Sequence, residues 1–448
     1  MSEHSPGPRP RFPGARKAPT TGLPSARPAI PAGATRWLFA GYVTLMLVEY
    51  AGLATIITPL RVIRFSTVLS YSLFFGVLLT IGASGLIKRT QTRLLLLFIA
   101  FTAVSVIWAV VQWYAVQSIR PLVDYMVLFV LTVALVDRQS RIDTISWLFL
   151  GVASFLVLRN LDKLLSSERV GAFKAPYFMG DGNDLAWGLV IMLPFMLNLM
   201  LGKRSVFTRV AGLIGIGFCL FGVIGSGSRG AAIGLALALL YYWIVMSRRK
   251  ALGAMALTIL VGAVLTFAPT YYFERLQSIG AYREDSSAQG RLQVWKASMR
   301  MAIDFPLGVG AGNFSSAYGR YYIPAPEQNT VVWASRRWLG AHSIYFKVLG
   351  EYGILGLALL LTIIFRNLID NARLHRETLA GRGQTQFSAA WPALLNMSII
   401  GYAACGVFLG GINYPHLFLL SALTVALQQS ASASGGKPAV SGGSRVKR

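Results

Sequence analysis

The chain has 448 residues, of which 54% are hydrophobic and only 13% are charged, and its mean hydropathy is +0.56. A water-soluble protein of this length could not bury so much apolar surface, so lipid must solvate part of it. The formal net charge of +25 would suit a nucleic-acid-binding protein, but the distribution of that charge argues against one.

The two ends of the chain have the composition of disordered tails. Residues 1–36 are rich in Pro, Gly, Ala and Arg and contain no apolar core, which predicts a cytoplasmic tail instead of a cleaved signal peptide. Residues 430–448 are rich in Ser and Gly and are basic. We therefore expect both termini to lie in the cytoplasm.

Between the tails, apolar runs recur at the length that crosses about 30 Å of hydrocarbon as a helix. The short alternating strands of outer-membrane barrels are absent from the pattern. We predict an all-α, polytopic transmembrane bundle of about twelve helices: nine within residues 37–268 and three within residues 343–429. The predicted spans are 37–59, 66–87, 94–115, 120–136, 144–158, 184–201, 206–226, 229–247, 251–268, 343–365, 388–410 and 414–429.

With this topology, more than half of the 42 Lys and Arg residues fall on the cytoplasmic side. Such a bias is the positive-inside rule of membrane proteins. It accounts for most of the net charge, so we expect membrane lipids as neighbours and no nucleic-acid partner.

Two segments on the opposite, outer side exceed ordinary loop length, residues 159–183 and residues 269–342. The longer one has helical periodicity, with Leu292, Trp295 and Met299 on one face, which predicts short amphipathic helices on the outer membrane surface. Cations on this side oppose the general bias and favour a phosphate-bearing substrate, although contact with solvent and lipid headgroups explains any single one equally well. They include Arg159 and Lys174.

Three predicted helices begin at the outer face with capping residues. Ser228 and Arg229 open one, Asn183 precedes the second, and Ser343 begins the third. Free N–H groups and the helix dipole make such ends favourable for anions. Simple capping explains the serines and Asn183, but it does not explain Arg229.

Of the four histidines, His342 lies where the long outer segment re-enters the membrane, whereas His416 sits in a turn and suggests a packing role. The outer segments contain no Asp-x-Asp pair and no His/Cys cluster, so we expect neither a metal nor another cofactor. The glycines at 308, 310 and 312 indicate a tight turn and not a nucleotide site, because no βαβ pattern surrounds them.

Three carboxylates, Glu49, Asp124 and Glu351, lie within predicted spans and should face the bundle interior. For Glu351, with Gly350 and Gly353 beside it, helix packing is the favoured role. Cys219 and Cys405 also lie within predicted spans, which favours small buried residues over a disulfide.

Three segments resemble the O-antigen ligase family of bacterial glycosyltransferases: GSGSRGAAIGL at 225–235, GRLQVWKASMRMAIDFPLGVGAGNF at 290–314 and AHSIYFKVLGEYGILG at 341–356. GDGNDLAWGL at 180–189 is weaker support. Their order and spacing are more specific than any one of them, and the helix count and the long outer segment extend the resemblance over most of the chain.

The resemblance implies a GT-C-like enzyme of the bacterial inner membrane with its active site facing the periplasm. Its substrates would be an undecaprenyl-pyrophosphate-linked glycan as donor and a sugar hydroxyl of lipid A–core as acceptor, joined by a metal-independent, inverting transfer. His342 would be the general base, and Arg229 and Arg291 would bind the pyrophosphate. Neighbouring cations should lower the His342 pKa. Further possible substrate contacts are Arg159, Lys174, Asn183, Ser228, Arg336, Arg337 and Tyr345.

Two kinds of alternative stay open. An O-antigen polymerase or a protein O-oligosaccharyltransferase would use similar chemistry on another acceptor, although a single dominant outer segment favours a ligase. A transporter of lipid-linked sugars belongs to another class. It would predict paired halves and charges at the membrane midplane, and such charges are sparse in this sequence.

Overall fold

A computed structural model of the chain describes residues 32–82, 88–165, 177–202, 204–247, 250–251, 286–323, 339–381 and 386–434. Within these ranges every regular element is helical. The all-α prediction is therefore confirmed. Residues 252–268 of the predicted span 251–268 lie outside the described residues, as do residues 269–285 and 324–338 of the predicted segment 269–342. Lys174, Arg336 and Arg337 are also outside them.

The first half of the described chain forms eight helices. They are α1 (Ala32–Tyr50), α2 (Leu53–Ile56), α3 (Thr58–Val62), α4 (Phe65–Thr80), α5 (Thr90–Val104), α6 (Gln112–Leu135), α7 (Gln139–Arg159) and α8 (Leu161–Leu165). The second half contains α9 (Gly182–Met200), α10 (Val206–Gly225), α11 (Arg229–Val245), α12 (Ser286–Asp304), α13 (Phe314–Ala317), α14 (Ile344–Leu379), α15 (Trp391–Cys405) and α16 (His416–Ser434).

Six of the described helices are long and apolar enough to cross a membrane: 90–107, α6, α7, α9, α10 and α14. Two shorter apolar helices, α4 and α11, accompany them. Many of their apolar side chains remain exposed, for example Phe75 and Leu213 at 58% each. This is the pattern of a bundle whose surface meets lipid, and it supports a membrane protein. The total of twelve spans stays a prediction.

Several predicted boundaries were wrong for local reasons. The first predicted span, 37–59, ends as a helix at Tyr50, because Gly52 adopts a left-handed backbone. The predicted span 343–365 continues as helix to Leu379, so Arg373 and His375 lie on a helix and not in a loop. His375 Nδ1 is 3.0 Å from the carbonyl oxygen of Ala389.

The main core lies between α9 and its neighbours, with Trp187, Phe195 and Trp391 almost fully enclosed. A second, smaller core joins the helix α12 to the start of α14. Its buried members include Val294, Ala297, Met301, Phe314 and Ala341. This outer layer therefore has its own apolar contacts and holds the residue that precedes His342.

Candidate functional site

Three helices begin at the same end of the bundle, each with a side chain that caps its first turn. Ser228 accepts a hydrogen bond from the N–H of Ala231 at the start of α11, and Ser343 accepts one from the N–H of Phe346 in α14. For α9 the predicted capping residue was wrong. Asp181, not Asn183, accepts from the N–H of Asp184 at 2.7 Å, because the helix begins one residue before Asn183.

The connection between α15 and α16 brings the starts of α11 and α14 together. The N–H of Ile344 donates to the carbonyl oxygen of Gly406 at 2.9 Å. Gly230 lies so close to Phe408 that an added methyl group would come within 2.7 Å of its Cβ. We call residues 406–411 the connecting segment. It contacts the first turn of α11, which begins with Arg229, and the first turn of α14, which follows His342.

His342 also contacts this connecting segment. A methyl group added at Gly410 would lie 3.5 Å from the Cα of His342. The His342 backbone has φ +45°, and among the described residues only Arg64 shares a positive φ without being glycine. A non-glycine residue in this region is held there by its surroundings. The turn at His342 is therefore a specified feature of the fold.

The imidazole of His342 keeps an exposed surface, as a residue that meets a substrate requires. Burial by its surroundings lowers its pKa, and the nearby Arg291 guanidinium lowers it further, whereas Asp181 opposes the shift. The prediction that neighbouring cations lower the His342 pKa is confirmed for Arg291, although burial is the larger cause. At neutral pH the imidazole is therefore in its proton-accepting form.

Trp295 fixes the helix that carries Arg291. Its indole Nε1 donates to the carbonyl oxygen of Ala341 at 2.9 Å. The indole ring stacks on Phe346 with 4.7 Å between centroids. Arg291 lies one turn before Trp295, on the same face of α12. The helix predicted from the spacing of Leu292, Trp295 and Met299 is confirmed, and its docking explains why Arg291 influences His342.

The glycine-rich turn at residues 308–312 lies between the outer layer and the bundle. Gly308, Gly310 and Gly312 all have positive φ, which glycine adopts without strain. The N–H groups of Val309 and Gly310 donate to the carbonyl oxygens of Gly350 and Glu351 at 2.9 and 3.0 Å. This confirms the predicted tight turn.

Two polar side chains fasten this turn to its neighbours. The Asn313 amide is fully buried and bonds the N–H and the carbonyl oxygen of Val111 at 2.8 and 3.1 Å. The buried Glu351 carboxylate accepts from the N–H of Phe314 at 3.4 Å. The interpretation of Glu351 as a packing residue is thereby supported.

The other described residues that were predicted to contact a substrate are Tyr345, Ser228 and Arg159. Tyr345 donates its hydroxyl to the carbonyl oxygen of Ala403 at 2.8 Å, and Ser228 is buried as a cap. Arg159 lies over the ring of Phe155 at 5.8 Å. Within the described part of the chain, its Nη1 atom is buried without a hydrogen-bond partner. Arg159 therefore has a buried donor atom that is available to a substrate.

Sequence reasoning missed the contributions of Asp181, Asn313 and the connecting segment. Asp181 stands two residues before the expected cap, and its own Asp-Gly-Asn-Asp run offered several candidates. The predicted span 388–410 included most of the connecting segment, because its apolar and glycine residues are compatible with a membrane span as well as with a turn. No local signal marked its approach to His342.

The geometry places a neutral, accessible base beside a guanidinium group, with capped helix N-termini at the same end of the bundle. Such a site can remove a proton from a hydroxyl group and stabilise negative charge on a departing anion. Among the described residues, no group of three His, Cys, Asp or Glu side chains is arranged to hold a metal ion. The expectation that no metal is used stays a prediction.

Comparison with known families finds one match relevant to this site. A family model described as O-antigen ligase matches residues 214–361. This range contains Arg229, Arg291 and His342. No curated protein matches the chain.

Proposed function

We propose that the chain, whose residues 214–361 match the O-antigen ligase family, transfers a glycan from undecaprenyl pyrophosphate to a sugar hydroxyl of lipid A–core. The observation that carries this proposal is the pairing of an accessible, neutral His342 with Arg291 at the bundle end where Arg229 also begins its helix. The reaction is an inverting substitution at the anomeric carbon of the donor.

His342 acts as the general base in this proposal. The acceptor oxygen attacks the anomeric carbon, its proton passes to the imidazole, and the bond from that carbon to the pyrophosphate oxygen breaks. The bonding electrons leave with the pyrophosphate. A positioned base typically contributes 10²–10⁴-fold to the rate. The lowered pKa of His342 keeps the imidazole free to accept the proton under neutral conditions.

Arg229 and Arg291 bind the pyrophosphate and neutralise the charge that develops on it. A single guanidinium about 4 Å from a phosphate oxygen contributes about 4 kcal/mol at an effective dielectric constant near 20. Two such groups supply the charge that a divalent cation supplies in other pyrophosphate sites, and the reaction then needs no metal or other cofactor. The bidentate geometry of Arg suits phosphate oxygens.

Four further cationic residues are proposed to contact the substrates. Arg159, with its unbonded Nη1 atom, is proposed to contact the donor pyrophosphate. Arg336, Arg337 and Lys174 are proposed as additional cationic contacts on the same side of the membrane. Asn183, Ser228 and Tyr345 border the site, and we assign them to its shape instead of to direct substrate contact.

The cellular location follows from the same proposal. The bundle would lie in the bacterial inner membrane with both termini in the cytoplasm, and the His342 end would face the periplasm. Lipid A–core and polyprenyl-linked glycans meet at that leaflet. The family also supports the related activity of an O-antigen polymerase, in which the acceptor is a second lipid-linked glycan instead of lipid A–core.

The decisive experiment uses the purified, reconstituted protein with an undecaprenyl-pyrophosphate-linked glycan and lipid A–core in EDTA. The expected result is a covalent glycan–lipid A–core product. The rate of its formation should fall by 10²-fold or more in His342→Ala. His375→Ala, at the far end of α14, is the matched control and should retain activity. A product that joins two donor glycans would identify a polymerase. A donor that moves across the membrane unchanged would contradict enzymatic transfer altogether.

A further inference from the structure

A second candidate site lies in the first half of the chain, away from Arg229 and Arg291. A cavity of about 360 Å³ opens between α1, α4 and α6. This volume lies within the range of small-molecule binding sites. Polar side chains from three helices converge on it: Glu49 from α1, Ser66 from α4, and Gln117, Arg120 and Asp124 from α6.

The cavity is at the same end of the bundle as His342. Glu49 is next to the last residue of α1, and Pro415, which also lines the cavity, immediately precedes α16. Tyr125, another lining residue, donates its hydroxyl to the carbonyl oxygen of Asn413 at 3.0 Å. Gly410, five residues before Pro415, approaches the backbone of His342. Residues 410–415 therefore connect the His342 site to the cavity wall.

The charge of the cavity is opposite to that of the His342 site. Glu49 and Asp124 contribute two carboxylates against the single guanidinium of Arg120. Arg120 Nε lies 3.9 Å from the Asp124 carboxylate, which also accepts a hydrogen bond from the Tyr71 hydroxyl at 2.9 Å. A formal excess of one negative charge disfavours a phosphate or pyrophosphate group. The donor's leaving group therefore belongs at Arg229 and Arg291 and not in this cavity.

An uncharged polyol matches the lining better than an ion does. Sugar hydroxyl groups can donate to the carboxylates of Glu49 and Asp124 and accept from Arg120 and Gln117, so each polar group finds a partner. The remaining wall includes the apolar side chains Leu45, Met46 and Leu128 and the rings of Tyr50 and Tyr125. Such surfaces pack against the C–H faces of a sugar ring.

We propose that this cavity binds a neutral sugar ring of the acceptor glycan. The inference rests on the proposed transfer reaction, because it takes the acceptor from that reaction. The cationic site at His342 then holds the donor pyrophosphate, and the acidic cavity holds part of the acceptor. The residues 410–415 lie between them.

The test measures acceptor binding separately from catalysis. In the His342→Ala background, the double substitution Glu49→Gln and Asp124→Asn should weaken binding of radiolabelled lipid A–core at least tenfold without donor present. Glu377→Gln, an exposed carboxylate on the distal part of α14 that pairs with Arg373, is the matched control. Deacylated core oligosaccharide should lose affinity in parallel, because the sugar and not the acyl chains would occupy the cavity.

A second variant tests the proposal independently, in case the double substitution prevents folding. Ser70→Leu places a larger apolar side chain in the cavity while leaving both carboxylates intact, and it should also raise the acceptor KM tenfold or more with the donor KM unchanged. Acceptor binding that is unaffected in both variants would overturn the proposal. A change only in how activity depends on monovalent cations would overturn it as well. Loss of transfer by the unaltered protein with acceptor binding intact would instead contradict the proposed function.

Discussion

The indole Nε1 of Trp295 donates a 2.9 Å hydrogen bond to the carbonyl oxygen of Ala341, so a helix of the outer layer directly holds the residue before His342. We expect Trp295→Phe to lower kcat roughly tenfold, because loss of this bond frees the strained turn at His342. The donor KM should stay within about twofold. Steady-state kinetics in proteoliposomes would check this result.

The control for this change is Trp113→Phe, the same substitution at a tryptophan that is 64% exposed. It should leave kcat unaltered. If Trp295→Phe raised the donor KM and left kcat unchanged, Trp295 would position Arg291 and not His342.

The pH dependence of transfer should report the environment of His342. Because burial and Arg291 lower its pKa, the imidazole stays neutral to a lower pH than an ordinary histidine. Activity is then present above the lowered pKa and falls as the pH drops through it. Arg291→Gln removes one lowering influence, so the acidic limb of kcat/KM should move to higher pH. A profile from pH 4.5 to 8 would show the shift.

Lower overall activity alone would not establish this point, since Arg291 is also proposed to bind the pyrophosphate. Arg229→Gln provides the comparison, because Arg291 is the guanidinium group that lowers the His342 pKa. Arg229→Gln should reduce activity without shifting the acidic limb of the kcat/KM profile. An equal displacement of the limb in both variants would argue against a specific Arg291–His342 coupling.

Glu351 offers a way to separate structural from catalytic carboxylates. Its carboxylate accepts backbone N–H groups of the glycine-rich turn, including that of Phe314. Glu351→Gln keeps an acceptor oxygen and should retain activity within about threefold. Glu351→Leu removes the acceptor and should destabilise the protein by about 1–3 kcal/mol. Detergent-solubilised thermal unfolding would measure the difference, and a large activity loss in Glu351→Gln would indicate a chemical role.

Gly353 is a position in α14 where both the backbone and the surrounding atoms disfavour a side chain. Its φ is +65°, and it packs against the carbonyl group of Pro306. Gly353→Ala should destabilise the protein by more than about 1 kcal/mol, because the added methyl group meets backbone atoms and the backbone angle is unfavourable. Thermal unfolding is again the measurement.

The contrasting variant is Gly151→Ala in α7, where nothing lies within 4 Å of an added methyl group. It should be neutral or stabilising, since alanine favours helix over glycine by about 1 kcal/mol. Equal losses at both positions would mean that crowding at Gly353 does not determine its effect.

Sequence patterns were strong guides where one physical requirement dominates. The apolar run lengths predicted an all-helical bundle, because only hydrocarbon explains them. The capping serines at 228 and 343 were recognised from residue type and place in the sequence alone. The periodicity of Leu292, Trp295 and Met299 likewise predicted the helix that carries Arg291 and Trp295.

Features that depend on long-range packing were not predictable in the same way. The continuation of α14 to Leu379 passes through Arg366 and Asp370, which pair at 2.9 Å. Polar residues of this kind end a hydropathy-based span without ending a helix. The lowering of the His342 pKa was expected from cations, but its larger cause, burial, depends on the arrangement of several distant segments.

The non-helical backbone at Gly353 divides the 36-residue α14 into two helical segments. The first nine residues are hydrogen-bonded to the outer layer through Val309 and Gly310, whereas the remainder belongs to the bundle. Adaptation of the longer segment to a thicker or thinner bilayer, usually by tilting, can therefore be absorbed at this joint. We therefore expect the His342 imidazole to keep its position relative to the outer layer in membranes of different thickness.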